Sequence, residues 1–241
     1  MKFGVVLRMP LKLYFEYISQ PARACYLLFK CAGIPFDAYL VNQNKKERIV
    51  KDKNKMNYLQ SIPTIDDDGF QLSESVAIMK YSLNKYQPQS TWIPNEDQVK
   101  ARVEEFLNWY HLNLRLNFGM YYRTMILGPI ITGQMPDTSK KIFYFDAMEE
   151  SLDAMNNHFL VKPNSFIGGS PSLTIADVLA ACEISQCEYL CFKLTKWHNT
   201  TENNFPNVLN WYNSVKYQTQ PHFDTCHEVL VLLKKRLKIE D

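Results

Sequence analysis

The stretch KLYFEYISQPARACYLLFKCAG, residues 12–33, decides how the first third of the chain is read. Lys12 to Ile18 alternates and is rich in aromatic side chains, the pattern of a strand. Ser19-Gln20-Pro21 then opens a helix, since serine is a good N-cap and proline's missing N–H costs nothing in a first helical turn. Ala24, Leu27, Leu28 and Cys31 recur at helical spacing, and Gly33 ends the run. Asp37 to Val41 reads as a second strand. Strand, helix and strand in this order predict a right-handed unit with a parallel pair.

Working outward, Asn42 to Asn57 is a polar loop with six Lys or Arg against two acids. It is either a solvated lysine-rich loop or a source of attraction for an anion. Ser61 to Ile65, the turn Asp66 to Gly69, and Phe70 to Leu72 form a hairpin. Ser73-Glu74-Ser75 precedes a helix over Val76 to Tyr86. Gln87 to Gln98, with Pro88 and Pro94, is a linker. The order is β-α-β-loop-β-β-α, followed by a region where helices dominate. There Val99, Val103, Phe106, Leu107, Tyr110 and Leu114 predict one long amphipathic helix, and Gly128-Pro129 and Gly133 to Pro136 predict breaks. Ile142, Phe145, Leu152, Met155 and Phe159 mark a further helix. Thr174 to Asp177 forms a variant capping box, and Pro206 and Pro221 stand where first helical turns begin. His227 to Lys238 ends in a basic cluster that suits a helix C-terminus.

Composition excludes several classes. Of 241 residues, 46% are hydrophobic and 22% charged, and 14 Phe with 14 Tyr rule out disorder as the dominant state. A net charge of +2 is too balanced for a dedicated nucleic-acid binder. Cys25, Cys31, Cys182, Cys187, Cys191 and Cys226 have no CxxC spacing, and no histidine pair completes a zinc set, so they read as reduced thiols of a cytosolic protein. No metal is expected. No apolar run approaches the ~20 residues of a membrane span, and Val5 to Leu7 is too short for a secretory leader. GxGxxG, Walker and GxSxG patterns are absent, which argues against a phosphate-cradling loop.

Three features carry possible chemistry. Ser19 stands at the mouth of the first strand-to-helix turn, at the carboxyl end of a strand, where α/β folds bind ligands; alternatively it is only an N-cap. Ser61-Ile62-Pro63 opens a short strand. With a cis bond it would offer the Ile62 backbone to an extended peptide-like ligand, but a trans proline is the commoner state. Glu74-Ser75 at a helix start would suit an α-amino acid head group, the hydroxyl and free N–H groups taking the carboxylate and Glu74 the amine; otherwise it is another capped helix.

These residues are familiar as a set. LYFEYISQPAR, followed by IPF, SIPTI and LSESVAIMKY, is similar to the thioredoxin-like domain of cytosolic glutathione transferases, and resembles the theta class, its insect members in particular. KARVEEFLNWYH, FIGGSPSLTIADVLAACEI and FPNVLNW resemble that class's helical domain. The resemblance runs over nearly the whole chain from Leu11. It implies a thioredoxin-like glutathione-binding domain over residues 11–87, a linker over 88–97 and an all-helical domain over 98–241. Residues 1–10 would be an extension.

The resemblance also implies roles. Ser19 would donate a hydrogen bond to the sulfur of glutathione and favour the thiolate. Arg115 would reach the thiolate region from the helical domain; alternatively it snorkels on a solvated face. Ser61, Ile62 and Pro63 would pair with the cysteinyl backbone, and Glu74 and Ser75 would hold the γ-glutamyl end. Arg48 stands where many members carry a histidine and would take the glycyl carboxylate. Tyr58 replaces a common proline. Tyr14, Tyr110, His111, Leu114, Phe118 and Tyr122 are candidates for the walls of a second-substrate pocket between the domains, or are core residues. The implied function is conjugation of glutathione, as co-substrate, to small electrophilic apolar compounds, with a hydroperoxide-reducing side activity. The protein would be a cytoplasmic homodimer that binds neither nucleic acid nor membrane. A non-catalytic ligand-binding role on the same fold is the alternative. A zeta-type isomerase is disfavoured, because its first-turn signature is absent from SQPAR.

Overall fold

A computed structural model describes residues 10–41, 59, 61–191, 194 and 205–239. Arg48, Tyr58 and the segments 1–9 and 42–57 lie outside the described residues. The chain divides into two compact units, Met1–Pro88 and Gln89–Asp241.

Unit 1 is a thioredoxin-like βαβ–ββα arrangement. Strand β1 (Leu11–Phe15) leads to helix α1 (Gln20–Cys31) and strand β2 (Phe36–Leu40), and hairpin strands β3 (Thr64–Asp67) and β4 (Phe70–Ser73) lead to helix α2 (Ser75–Tyr86). The sheet order is β2-β1-β3-β4, with β2 parallel to β1 and the other two pairs antiparallel. Alternation decides the faces: Leu11, Leu13 and Phe15 are buried, while Lys12 and Tyr14 are only half-buried. Tyr14 stacks on Tyr39 across the parallel pair, ring centroids 5.1 Å apart. Asp68 (φ 55°) and Gly69 (φ 88°) make the hairpin turn, the pairing of positive φ values that fits the strand twist.

Strand β1 is shorter than the aromatic run predicts. The Glu16 carbonyl accepts from the Ser19 N–H at 3.1 Å, so the chain has left the ladder before Tyr17 and Ile18. The turn is pinned by Arg23, which is fully buried and donates from Nη1 to the Tyr17 carbonyl at 2.7 Å.

Unit 2 is helical. Helix α3 (Asp97–Tyr110) is followed by α4 (Leu114–Tyr122), a π-helical segment Arg123–Leu127 and α5 (Gly128–Thr132). Then come α6 (Thr138–Ala154), a second π-helical segment Met155–Phe159, a 3₁₀ turn Ile167–Gly169, α7 (Ile175–Leu190), α8 (Pro206–Gln218) and α9 (His222–Leu237). Every residue of α7 from Ile175 to Cys187 is buried, and α3, α4, α8 and α9 all pack on it.

Two expectations for this region need correction. Val99 to Leu114 is not one helix. Asn113 is non-helical (φ −120°, ψ −91°), and its side-chain amide donates to the Trp109 carbonyl at 2.7 Å, capping α3 and restarting the chain as α4. Leu112, between them, is 75% exposed, which breaks the apolar stripe. Gly128-Pro129 does not stop the chain either. The wide π-helical turn runs directly into α5, where Pro129 occupies a first-turn position that needs no N–H. Gly133 (φ 70°) does end it, its N–H bonding the Pro129 carbonyl.

The capping box at α7 forms as read. Asp177 is fully buried; its Oδ2 accepts from the Thr174 N–H and hydroxyl, and its Oδ1 accepts from the Ile167 N–H and Trp211 Nε1. All six cysteines are free thiols, four of them buried. No helix among the described residues is long and apolar enough to cross a membrane.

Candidate active site

Strand register gathers the unit 1 candidates at one end of the sheet. Tyr14 pairs with Thr64, and Thr64 with Ser73. The chain leaving β1, the chain entering β3 and the chain leaving β4 therefore meet there, and they carry Ser19, Ser61-Ile62-Pro63 and Glu74-Ser75. The Thr64 hydroxyl ties this end together, donating to the Ser61 carbonyl at 2.8 Å and sharing a hydrogen bond with the Ser73 hydroxyl at 3.1 Å. Cys25 in the middle of α1 bonds the Ser75 carbonyl through its thiol, joining α1 to the first turn of α2.

Ser19 is the N-cap residue of α1 by backbone geometry (φ −82°, ψ 117°), and its carbonyl accepts the Arg23 N–H at 2.9 Å. Its hydroxyl makes no capping bond. The usual use of a serine at this position is therefore not taken up, and the hydroxyl stands beside the positive end of a twelve-residue helix.

The Ile62-Pro63 bond is cis, against the trans state that frequency alone favours. Pro63 is buried and Ile62 half-buried. Glu74 caps α2 with φ 73° and ψ 115°, and again no side-chain capping bond forms. A glutamate at positive φ is costly and persists only where its surroundings demand it, which is frequent at binding sites. Its side chain is exposed, and Ser75 behind it is 4% exposed.

In unit 2, Arg115 donates from Nη1 to Oε1 of Glu183 at 2.6 Å. The same oxygen accepts the Tyr110 hydroxyl at 2.7 Å. Burial and the nearby carboxylate push the Tyr110 phenol well above its ordinary range, so it remains a donor. Burial alone would weaken the charge on Arg115, but the Glu183 carboxylate outweighs it and holds the guanidinium more firmly protonated.

The proposed pocket walls divide. Tyr14 and His111 keep exposed surface. Tyr110, Leu114 and Phe118 expose nothing and Tyr122 5%, so these four are core residues. The apolar periodicity that selected them reports burial against α7 as readily as a pocket.

Two participants carried no assigned role in the sequence reading: Arg23, which holds the turn bearing Ser19, and Glu183, which holds Arg115. Each is a charge inside an otherwise apolar helical run, and that is the signal that marks it. Among the described residues, no group of three His, Cys, Asp or Glu side chains is arranged to hold a metal.

Comparisons with known proteins place the sequence and the fold. Residues 13–90 match the family described as glutathione S-transferase, N-terminal domain. The chain is 35% identical to glutathione S-transferase theta-2 of Rattus norvegicus over 178 residues, covering 74% of this chain and 72% of the relative. It is similar to the structure of human glutathione transferase theta-2 in complex with glutathione and an unknown ligand (TM-score 0.82, 29% identity, covering 96% and 92% of the two chains). It is also similar to a human theta-class enzyme in complex with the glutathione conjugate of 1-menaphthyl sulfate (TM-score 0.78, 29% identity, 95% and 92%). The two-unit fold and the sequence identity thus point the same way, and the chain belongs to the theta-class glutathione S-transferases, enzymes that use glutathione as co-substrate.

Proposed function

We propose that Ser19 activates glutathione for attack on an electrophilic carbon. Its hydroxyl donates to the sulfur, and a donor aimed at the anion lowers a thiol pKa from its ordinary ~8.5, so more nucleophile exists at neutral pH. The observation that carries this reading is the Ser19 hydroxyl itself, at the N-terminal end of α1 yet not used to cap it. Ser61, Ile62 and Pro63 hold the cysteinyl part of the tripeptide by backbone pairing. Glu74 takes the γ-glutamyl amine, and Ser75 with the α2 N-terminus takes its carboxylate. Arg48 takes the glycyl carboxylate. Arg115 stabilises the thiolate.

Residues 11–87 form the glutathione-binding domain, 88–97 the linker, and 98–241 the domain that receives the electrophile. Tyr14 and His111 remain the candidates for contact with it. The human relative's bound conjugate makes 1-menaphthyl sulfate a suitable probe electrophile. Reduction of organic hydroperoxides is a side activity of the same thiolate, and the chain resembles insect members of the class. The protein acts in the cytoplasm as a homodimer; size-exclusion chromatography at micromolar concentration then gives twice 28.2 kDa, and elution as a monomer refutes the dimer.

The deciding experiment is titration of the bound thiol. Thiolate absorbance of glutathione is recorded with wild type and Ser19→Ala from pH 5 to 9. A thiol pKa depressed by at least one unit in wild type, equal to about 1.4 kcal/mol, and restored in the variant is the expected result. An unshifted thiol in both proteins overturns the role of Ser19.

A further inference from the structure

We infer that Glu183 is a positioning residue for Arg115, with Tyr110 completing the clamp. The inference rests on the reading of Arg115 given under Proposed function. Glu183 lies in the middle of α7, within the run Ile175 to Cys187 that is buried throughout, and its side chain is 1% exposed. A carboxylate there carries a desolvation cost that an apolar residue would avoid. Buried ion pairs are frequently replaceable by apolar residues without loss of stability, so stability alone does not account for the arrangement.

The geometry supplies another account. A single carboxylate oxygen receives both Arg115 Nη1 and the Tyr110 hydroxyl. Tyr110 is the last residue of α3, Arg115 lies in the first turn of α4, and the break at Asn113 falls between them. The clamp therefore fixes the two sides of that break to one point on α7. Arg115 retains 38% of its side-chain surface, so one corner of the guanidinium is anchored while the group still reaches solvent. A guanidinium carries five donors in a rigid fork, and fixing one sets the direction of the rest.

The test is a double-mutant cycle with Arg115→Ala and Glu183→Leu, read as glutathione conjugation of 1-menaphthyl sulfate and as the pKa of bound glutathione. Removing a donor that acts on a developing charge costs about 100-fold in turnover, and that is the expected loss for Arg115→Ala. Glu183→Leu is expected to fall within threefold of the same loss, to raise the thiol pKa in the same way, and to cost less than twofold more when added to Arg115→Ala. A full second loss on top of Arg115→Ala marks Glu183 as merely structural and overturns the proposal. So does wild-type turnover in Glu183→Leu. If Arg115→Ala itself changes neither readout, the role of Arg115 fails and the clamp's catalytic meaning fails with it. Should Glu183→Leu not fold, Glu183→Gln keeps the accepting oxygen. It is expected to lose three- to tenfold in the wild-type background and nothing beside Arg115→Ala; equal losses in both backgrounds overturn the proposal.

Discussion

Asp177→Asn changes one oxygen to an amide nitrogen at nearly constant volume, and the structure makes its effect calculable. Oδ1 of Asp177 accepts from the Ile167 N–H at 2.9 Å and Trp211 Nε1 at 2.7 Å; Oδ2 accepts from the Thr174 N–H at 2.8 Å and the Thr174 hydroxyl at 2.7 Å. Asparagine keeps one accepting oxygen and turns the other position into a donor, so whichever way the amide is placed, two donors face an NH₂ group. The site is fully buried, so water cannot replace the lost partners. Each orphaned donor costs about 1–3 kcal/mol, or about 2–6 kcal/mol for two. Urea unfolding followed by far-ultraviolet circular dichroism measures this, and loss of protection at either the Trp211 indole N–H or the Thr174 amide N–H reports which pair is orphaned. A loss below 1 kcal/mol would refute the four-donor account. The pH dependence has a fixed sign. Burial pushes the Asp177 carboxyl up to about 6 against the pull of its four donors, from an ordinary value of 3.8. The native state therefore takes up the proton first, and the ionised form is the less favourable one. Asp177's contribution is complete below about pH 4 and declines as pH rises through 6. The gap between wild type and Asp177→Asn is accordingly wider at pH 5 than at pH 8, by about 1.4 kcal/mol.

Asp67 runs the other way: burial raises its carboxyl, but hydrogen bonds from Lys85, Tyr81 and Tyr86 outweigh this and hold it below the ordinary range. Its contribution is present above about pH 4 and lost as pH falls further, so wild type loses more stability than Asp67→Asn between pH 5 and 2.5 in denaturant titrations. Gly168→Ala puts a Cβ 3.0 Å from the Arg102 Cβ and the Val103 nitrogen, at φ 76°. Left-handed strain and overpacking together cost about 2–4 kcal/mol in the same assay, and an unchanged midpoint refutes the close approach of this turn to α3. Arg23→Met keeps the packing but loses the bond to the Tyr17 carbonyl. Glutathione affinity is expected to fall at least threefold by isothermal titration, whereas unchanged affinity separates this turn from the ligand.

What could be read ahead of the structure follows from what local chemistry determines. The order of strands and helices in unit 1 was legible because alternation, Gly33 and the Asp68-Gly69 turn are local signals. So was the α7 capping box, whose members lie within three residues of one another. The misread points depend on partners far away or on a single torsion. Strand β1 stops where the Glu16 carbonyl turns to Ser19 rather than to another strand, although Tyr17 and Ile18 have strand-forming side chains. The helix break at Asn113 depends on one side chain finding the Trp109 carbonyl. Tyr110, Leu114 and Phe118 have the same periodicity whether they line a cavity or a core, and only packing on α7 decides it.

The charges inside apolar runs behave differently, and they connect fold to chemistry. Arg23 in α1 and Glu183 in α7 both sit where the apolar pattern would accept leucine, and neither is needed to form its helix. Each instead binds a group on another segment: Arg23 the carbonyl of Tyr17, two residues before Ser19, and Glu183 the guanidinium of Arg115. Burial makes these bonds directional, because a charge removed from water tolerates little departure from its partner. An exposed pair would leave the turn and the guanidinium free to sample other positions at small cost. The same desolvation that makes Arg23 and Glu183 expensive is therefore what lets each hold its partner in place, Arg23 the turn that carries Ser19 and Glu183 the guanidinium of Arg115.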